Sequence, residues 1–403
     1  MNRNGRCAQL GYAALSAVFV CAGLAHAQTA APNCVLPTCV TRSDDDAAAP
    51  QPGTLRYAIL NAPDGAAITF APGLVGQTLT LDSRSPGNQI KVSRSISVQG
   101  PGSSQLTIAG GHATRIFFIT GGNVQISDVT LTDGLASGGD GGPGSGGAGG
   151  GGAAAGLGGA IFVNSGSVTL TRVILTGNRA RGGNGGGGGS GFGPGRGGGG
   201  GGFGGASAHG PIGGIAGELS VNGIAEGAGG TGGSGDGAAS PGGTGGWGAG
   251  GGGGGYYVHA AGGRGAAGGS SDFGGGSGGG GAFLDAEGGA IAGGGGLGGS
   301  ALGGAIFVRS GQVILRDTAF VNNAAVGGLG GSGAAAGVGK GGALFICSSY
   351  FCGPGHDGAA LIYGNTYFKS STAAQAGEDP LCSGRDDRDV CGVLKAGENE
   401  SKR

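Results

Sequence analysis

Hydrophobic and polar residues alternate in short runs along this chain, and three of the runs repeat. Segments 116–134, 160–178 and 305–323 align without a gap. In each segment an apolar run, Ala-Ile-Phe-Val in two of them, precedes Ser-Gly or Gly-Gly and then an alternating Val-x-Leu or Val-x-Ile stretch. A unit this short cannot bury its own apolar face, so we expect it to stack on copies of itself.

Period-two alternation also runs through residues 55–133, in stretches bounded by Gly, Pro, Asn and Asp, which predicts an all-β protein. A sandwich or barrel of hairpins would not repeat one unit in one register. We therefore expect a right-handed parallel β-helix, a pectin-lyase-like solenoid whose coils of ~20–25 residues stack in parallel. Asn178 and Asn323 end two of the units and suit a tight, left-handed turn.

The same patterns divide the chain into segments. Arg3 and Arg6, an apolar centre and Ala25-His26-Ala27 predict a secretory signal peptide, since the apolar run is shorter than the ~20 residues of a membrane span. We expect a signal peptide at 1–27, an N-terminal cap segment at 28–53, β-helix coils at 54–181 with a glycine-rich loop at 135–156, a glycine-rich insertion at 182–300, further coils at 301–365 and a C-terminal cap or tail at 366–403.

Glycine dominates the two inserts, and the chain contains 112 glycines in 403 residues. Ordering such a chain costs much backbone entropy and few side chains offset that cost, so a large flexible loop is the favoured interpretation. The alternative is a bundle of extended polyglycine strands that pack through their backbones. In that bundle the exposed contact residues would be Phe192, Phe203, Trp247, Tyr256, Tyr257 and Phe273.

Charge and cysteine content narrow the possible functions. Charged residues make up 11% and the formal net charge is -1, so the chain has no electrostatic footprint for nucleic acid or anionic membrane. After removal of the signal peptide six cysteines remain, an even number that favours disulfides in an exported chain. Their clustering favours local pairs over a metal site: Cys34 with Cys39, Cys347 with Cys352, and Cys382 with Cys391.

Candidate catalytic residues are few. Asp128 and Asp317 occupy equivalent repeat positions, but Arg172 lies between them, so a ladder of opposite charges is expected rather than a pair of catalytic carboxyls. The histidines at 112, 209, 259 and 356 lack metal-ligand spacing. Thr130 aligns with Ile174 rather than Thr169, so the threonines form no single ice-binding ladder. No catalytic, cofactor-binding or metal-binding residue is therefore predicted.

Short motifs in the repeats resemble a known family. Gly-Gly-Ala-Ile or Gly-Gly-Ala-Leu occurs at 158–161, 303–306 and 341–344, and Phe-x-x-Asn occurs at 320–323 with a Leu variant at 175–178. These motifs resemble those of polymorphic outer-membrane proteins, and 53–59 is similar to the N-terminal cap of secreted right-handed β-helix repeat proteins. The resemblance implies a surface or secreted β-helix of the adhesin or autotransporter-passenger type. The chain as given ends Glu-Ser-Lys-Arg, and its pattern does not lead us to expect the ~10-residue strands of that family's C-terminal β-barrel.

Together these observations predict an exported protein of the extracellular space, the cell surface or the periplasm. Its expected role is structural or adhesin-like, without catalytic activity or cofactor. The alternatives are a polysaccharide-active β-helix enzyme, either a lyase or a glycoside hydrolase, and a purely structural surface protein. Expected partners are host or environmental glycans or surface proteins. The candidate binding surface is the set of insertion aromatics or the strand face that bears Arg172 and Arg309.

Overall fold

The computed structural model describes most of the chain after residue 33. It covers residues 34–82, 84, 88–190, 194–204, 207–208, 210–213, 220–221, 224–225, 228–235, 238–257, 266–271, 273–284, 290–373, 382 and 388–397. The predicted signal peptide, Phe192 and parts of the predicted insertion and tail lie outside these residues.

Short strands make up most of the regular structure. The first part contains β1 (Cys39–Val40), α1 (Leu55–Asn61), β2 (Ala66–Phe70), a 3-10 turn (Pro72–Leu74), β3 (Gln77–Thr80), β4 (Ile90–Val92), β5 (Ile96–Gln99), β6 (Leu106–Ala109), β7 (Phe117–Ile119), β8 (Asn123–Ser127), β9 (Thr130–Thr132), β10 (Leu135–Ser137), β11 (Gly156–Leu157), β12 (Ile161–Val163), β13 (Ser167–Thr171), β14 (Ile174–Thr176) and β15 (Arg179–Arg181). The second part contains β16 (Ser220–Val221), β17 (Ile224–Ala225), β18 (Phe283–Leu284), β19 (Ala290–Ile291), β20 (Ala301–Leu302), β21 (Ile306–Val308), β22 (Gly311–Arg316), β23 (Ala319–Val321), β24 (Ala324–Val326), β25 (Gly339–Lys340), β26 (Leu344–Ile346), α2 (Ser349–Cys352), β27 (Gly358–Tyr363), β28 (Tyr367–Lys369), β29 (Thr372–Ala373), β30 (Val390–Cys391) and β31 (Leu394–Ala396).

Successive strands of each repeat lie in different sheets. Sheet A has the order β1-β2-β5-β8-β13-β22-β27-β31, sheet B is β28-β23-β14-β9-β6-β3, and sheet C is β30-β26-β21-β12-β7-β4. Two smaller sheets are β10-β15-β24-β29 and β11-β20-β25. In all five sheets the described pairs are parallel, whereas β16–β17 and β18–β19 are antiparallel. The fold is therefore all-β and parallel, and it is solenoid-like in that each repeat adds a strand to sheets A, B and C.

The gapless alignment of the three repeats is also their structural register. Val168 pairs with Val124 on one side and with Val313 on the other, and Leu175 pairs with Leu131 and Phe320. These side chains are buried in a continuous core formed by sheets A, B and C. Like residues therefore stack on like residues, as the alternating pattern predicts.

Asn178 and Asn323 do not adopt the left-handed conformation that was expected of them. The residues with positive φ are one position earlier, Gly177 at 65° and Asn322 at 53°, and Asp133 at 53° holds the place before Gly134 in the first repeat. Asn178 and Asn323 are instead fully buried. The prediction was wrong because a buried carboxamide can hydrogen-bond the backbone of the neighbouring repeats.

These two asparagines form a ladder across the stack. The Asn178 side chain donates from Nδ2 to the Leu131 carbonyl (3.0 Å) and accepts at Oδ1 from the Gly134 N–H (2.9 Å). Asn323 repeats the arrangement: its Nδ2 donates to the Leu175 carbonyl (3.0 Å), and its Oδ1 accepts from the Asn178 N–H (3.0 Å). Backbone N–H and C=O groups of the turns that make no hydrogen bond within a sheet are thereby hydrogen-bonded inside the protein.

The glycine-rich segments form an ordered bundle, which we call the glycine bundle. Its described segments lie within residues 138–156, 182–204, 228–257, 266–282, 293–300 and 327–338. Segment 148–156 illustrates the pattern, because every third N–H donates to the same neighbouring segment: 248–254, 294–300 or 139–142. Its carbonyls accept from three further segments, 183–189, 198–201 and 276–279. A repeat of three residues is that of a polyproline II helix, which has no internal hydrogen bonds.

Close approach of these backbones requires glycine. A Cβ at Gly151 would overlap the Gly199 carbonyl, and one at Gly152 would overlap the Gly276 carbonyl. The described residues of the insertion therefore form the bundle, which was the alternative prediction, and not the flexible loop that the sequence favoured. Residues 138–156 of the predicted loop 135–156 belong to the same bundle, whereas residues 135–137 form strand β10.

Candidate binding site

Phe203, Trp247 and Phe273 are buried, although the sequence analysis expected them to be exposed. They pack against Phe162 and Phe307 on the outer face of sheet C, with ring centroids 5.9–6.2 Å apart. The expectation was wrong because the insertion contains few large side chains, and these cover the apolar face that sheet C presents. We call this contact the aromatic seam; it comprises Phe118, Phe162, Phe203, Trp247, Phe273, Phe307 and Phe345.

Tyr256 is likewise buried rather than exposed, and it packs with Ala148 and Ala282 inside the glycine bundle. Its ring fills the space between glycine segments, whose own side chains are absent. Tyr257 is half-buried, and Phe192 lies outside the described residues. Four of the six predicted contact aromatics are therefore buried rather than exposed: Phe203, Trp247, Tyr256 and Phe273.

Arg172 lies in the expected ladder of opposite charges. Its guanidinium donates two hydrogen bonds of 2.7 Å to the Asp128 carboxylate, which raise the pKa of Arg172, and the charge of Asp317 adds to the effect. Asp317 in turn accepts from the Asn365 N–H (2.8 Å). All three ladder residues have positive φ, at 58°, 53° and 49° in chain order. The ladder is thus a row of corner residues in which Asp128 and Arg172 form an ion pair.

Arg309 does not share an exposed face with Arg172. Only 7% of it is exposed, because its guanidinium carbon lies 4.0 Å from the centre of the Trp247 ring. Its Nη1 donates to Asn164 Oδ1 (3.0 Å), and its Nη2 lies 3.2 Å from His356 Nε2. Because arginine only donates hydrogen bonds, Nε2 of His356 is the acceptor in this contact.

A cavity of about 380 Å³ opens beside this cluster. Its walls come from the glycine bundle on one side and from the loop around α2 on the other. The lining residues are Trp247, Phe273, Tyr350, Phe351, Cys352, Gly353, Pro354 and His356. We call it the junction cavity, because it lies where the insertion meets the last repeats.

A stacked pair of aromatic rings forms part of the wall of the junction cavity. Trp247 and Phe273 are stacked, with centroids 5.0 Å apart and an angle of 17° between their planes. The indole Nε1 of Trp247 is buried and has no hydrogen-bond partner among the described residues.

Disulfides hold the site and both ends of the fold. Cys347–Cys352 closes the loop that contains α2, Cys34–Cys39 lies at β1, and Cys382–Cys391 lies at β30. These are the three local pairs that the sequence favoured. The Cys347–Cys352 disulfide fixes one wall of the junction cavity, because Cys352 is a lining residue.

Sequence reasoning missed Tyr350, Phe351 and His356 as site residues. The fully apolar strands of sheet C offered a signal, since a strand buried on both faces reads as a continuous hydrophobic run. The Ile-Phe-Val run of β12 is buried at all three positions, so something had to cover Phe162. Nothing in the sequence identified the glycine segments as that cover.

Other site types were searched among the described residues only. They contain no group of three or more His, Cys, Asp and Glu side chains that could hold a metal ion. Nor do they include a helix long and apolar enough to cross a membrane. No protein family, curated protein or solved structure matches this chain.

Proposed function

We propose that this chain is a right-handed parallel β-helix that acts as a non-catalytic, adhesin-like binding protein at or beyond the cell surface. Three disulfides support an oxidising compartment. Parallel sheets A, B and C in one register support the β-helix. The glycine bundle then serves as a rigid attachment that brings aromatic residues to the side of the stack.

The stacked rings of Trp247 and Phe273 in the wall of the junction cavity carry the proposal of a binding site. The volume of this cavity falls within the ~300–1,000 Å³ typical of small-ligand sites. Aromatic walls with a few polar groups are also typical of such sites. The Asp128 carboxylate accepts a hydrogen bond from Arg172, and the Asp317 carboxylate accepts one from the Asn365 N–H. Because both carboxylates already have these structural roles, binding is favoured over hydrolysis.

Trp247 is the only tryptophan in the chain, so tryptophan fluorescence reports on this one residue of the cavity wall. We expect a panel of glycans and surface proteins to contain at least one ligand that changes this emission saturably. Tyr350 is 76% exposed at the cavity, so Tyr350→Ala should weaken that binding about tenfold.

The matched control is Tyr367→Ala, which removes an exposed tyrosine from sheet B and should leave binding unchanged. Equal effects of the two substitutions, or no ligand at all, would contradict the binding role. Release of reducing or unsaturated sugar from any glycan of the panel would instead support the enzyme alternative.

A further inference from the structure

We propose that the outer face of sheet B binds the surface of ice crystals through rows of threonine side chains. This face is separate from the junction cavity, so the inference goes beyond the proposed function and does not depend on it. Three observations carry it: two rows of small side chains in one register, threonine hydroxyls without partners in the protein, and a surface without charge.

The strands of sheet B place their outward residues in two rows, which we call the threonine grid. The first row is Thr78, Thr107, Thr130, Ile174 and Ala319, and the second is Thr80, Ala109, Thr132, Thr176 and Val321. The alignment of the three repeats pairs Thr130 with Ile174, as the structure does. It did not include β3 and β6, which supply the other threonines, and it therefore missed this ladder.

The spacing of the grid is regular in both directions. Neighbouring strands of a sheet are ~4.8 Å apart, and residues two positions apart on one strand are ~6.6 Å apart. Water molecules on the prism faces of hexagonal ice repeat at distances close to both values. The pairing does not slip between β3 and β23, so the two rows continue unbroken over these strands. A crystalline lattice of water is therefore a partner that the grid fits.

Most threonine hydroxyls of the grid have no hydrogen-bond partner in the described part of the protein. These are the hydroxyls of Thr78, Thr80, Thr107, Thr132 and Thr176, all of which are exposed or half-buried residues. Only Thr130 donates within the protein, to the Ser103 carbonyl (2.6 Å). Each remaining hydroxyl can donate one hydrogen bond to water and accept two, while the neighbouring methyl group is apolar.

Threonines elsewhere in the chain use their hydroxyls differently. Thr114, Thr120 and Thr318 each donate to a backbone carbonyl. The grid therefore differs from these threonines in leaving its hydroxyls to the solvent.

The composition of the grid favours ice over a protein partner. None of its residues is charged or aromatic, whereas protein–protein interfaces are enriched in aromatic residues and arginine. A charged side chain would hold a hydration shell that does not match the ice lattice. Tyr367 and Lys369 of β28 occupy the next positions of the two rows, and these larger side chains end the grid.

Partition of the intact protein between slowly grown ice and the remaining liquid tests the proposal. We expect the ice to be enriched in this protein at least about fivefold relative to serum albumin, which is added to the same solution. We also expect thermal hysteresis, a gap between the melting and freezing temperatures of a seeded crystal.

One pair of variants assigns the binding to sheet B. Thr132→Tyr places a bulky side chain in the second row, where it would hold the ice surface away, so enrichment in ice should fall about fivefold. The matched control is Thr169→Tyr, which adds the same side chain at a half-buried threonine of sheet A and should leave enrichment unchanged. Tyrosine suits strands, so both variants should fold.

A second pair keeps the test decisive if a tyrosine variant fails to fold, which circular dichroism would show. Thr107→Lys adds a charge to the first row and should also lower enrichment about fivefold. Its control is Gln125→Lys, at an exposed position of sheet A, which should have no effect.

Three results would overturn the proposal. The first is that ice contains no more of the unmodified protein than of albumin. The second is an equal loss of enrichment in a sheet B variant and its sheet A control, which would exclude the threonine grid as the surface. The third is binding to powdered cellulose or chitin without enrichment in ice, which would replace ice with a crystalline polysaccharide. The fluorescence panel for the junction cavity is independent of all three.

Discussion

At the scale of single residues, the asparagine ladder shows how one side chain supports two repeats. Replacing Asn178 with Ala leaves the Leu131 carbonyl and the Gly134 N–H buried without their partners. Each such group costs about 1–3 kcal/mol, so we expect Asn178→Ala to lower the free energy of unfolding by about 2–6 kcal/mol. Denaturant titration measures this value. Asn123→Ala, at an exposed asparagine of β8, is the control and should change it by less than about 0.5 kcal/mol.

The N-terminal cap provides a pH-dependent interaction. Hydrogen bonds from the Arg84 side chain, with those from the Ala47 and Arg84 N–H groups, hold the pKa of Asp82 well below its usual range. A carboxyl whose pKa is lowered on folding stabilises the protein above its unfolded pKa of about 4, and that stability is lost as the pH falls toward the folded pKa.

Asp82→Asn should therefore lower the thermal midpoint at pH 7 and have a smaller effect near pH 2. Thermal midpoints of both proteins between pH 2 and pH 7 test this. A constant difference between them across that range would show that the ionised carboxylate is not the stabilising form.

At the scale of elements, adjacent glycines of the bundle differ in what they tolerate. A Cβ at Gly186 would overlap the Gly142 carbonyl, whereas one at Gly187 would meet nothing nearer than Ser332 Oγ at 3.4 Å. We expect Gly186→Ala to lower the thermal midpoint by several degrees, because overpacking costs about 1–3 kcal/mol. Gly187→Ala is the matched control and should leave the midpoint nearly unchanged. Similar midpoints for both variants would contradict close packing of the segments.

The elements differ in how well the sequence predicts them. Strands β8, β13 and β22 were predictable because alternation of Val, Leu and polar residues encodes both the strand and its register. The glycine bundle was weighed but not favoured, because its segments are joined through backbone groups and its glycines carry no hydrophobic pattern. The left-handed residue at the corner was predicted one position too late, because asparagine suits both a left-handed turn and a buried ladder of hydrogen bonds.

At the scale of the whole molecule, the aromatic seam joins the glycine bundle to the parallel sheets. Buried Arg115 reinforces this junction: its Nε donates to the Gly158 carbonyl (2.8 Å), and its guanidinium lies 5.3 Å from the Phe162 ring and 6.0 Å from Phe203. The junction cavity lies beside the same seam and depends on both parts. Its residues come from distant segments, so no local motif could have predicted it.

The ordered glycine bundle is therefore the central claim, since the cavity requires it. Hydrogen–deuterium exchange measured by mass spectrometry on the intact protein tests it most directly. Segments 148–156 and 249–256 donate their N–H groups to neighbouring segments, so we expect them to be protected to an extent comparable with β13 and β22. Complete exchange of both glycine segments at the earliest time point, while β13 and β22 remain protected, would contradict the account.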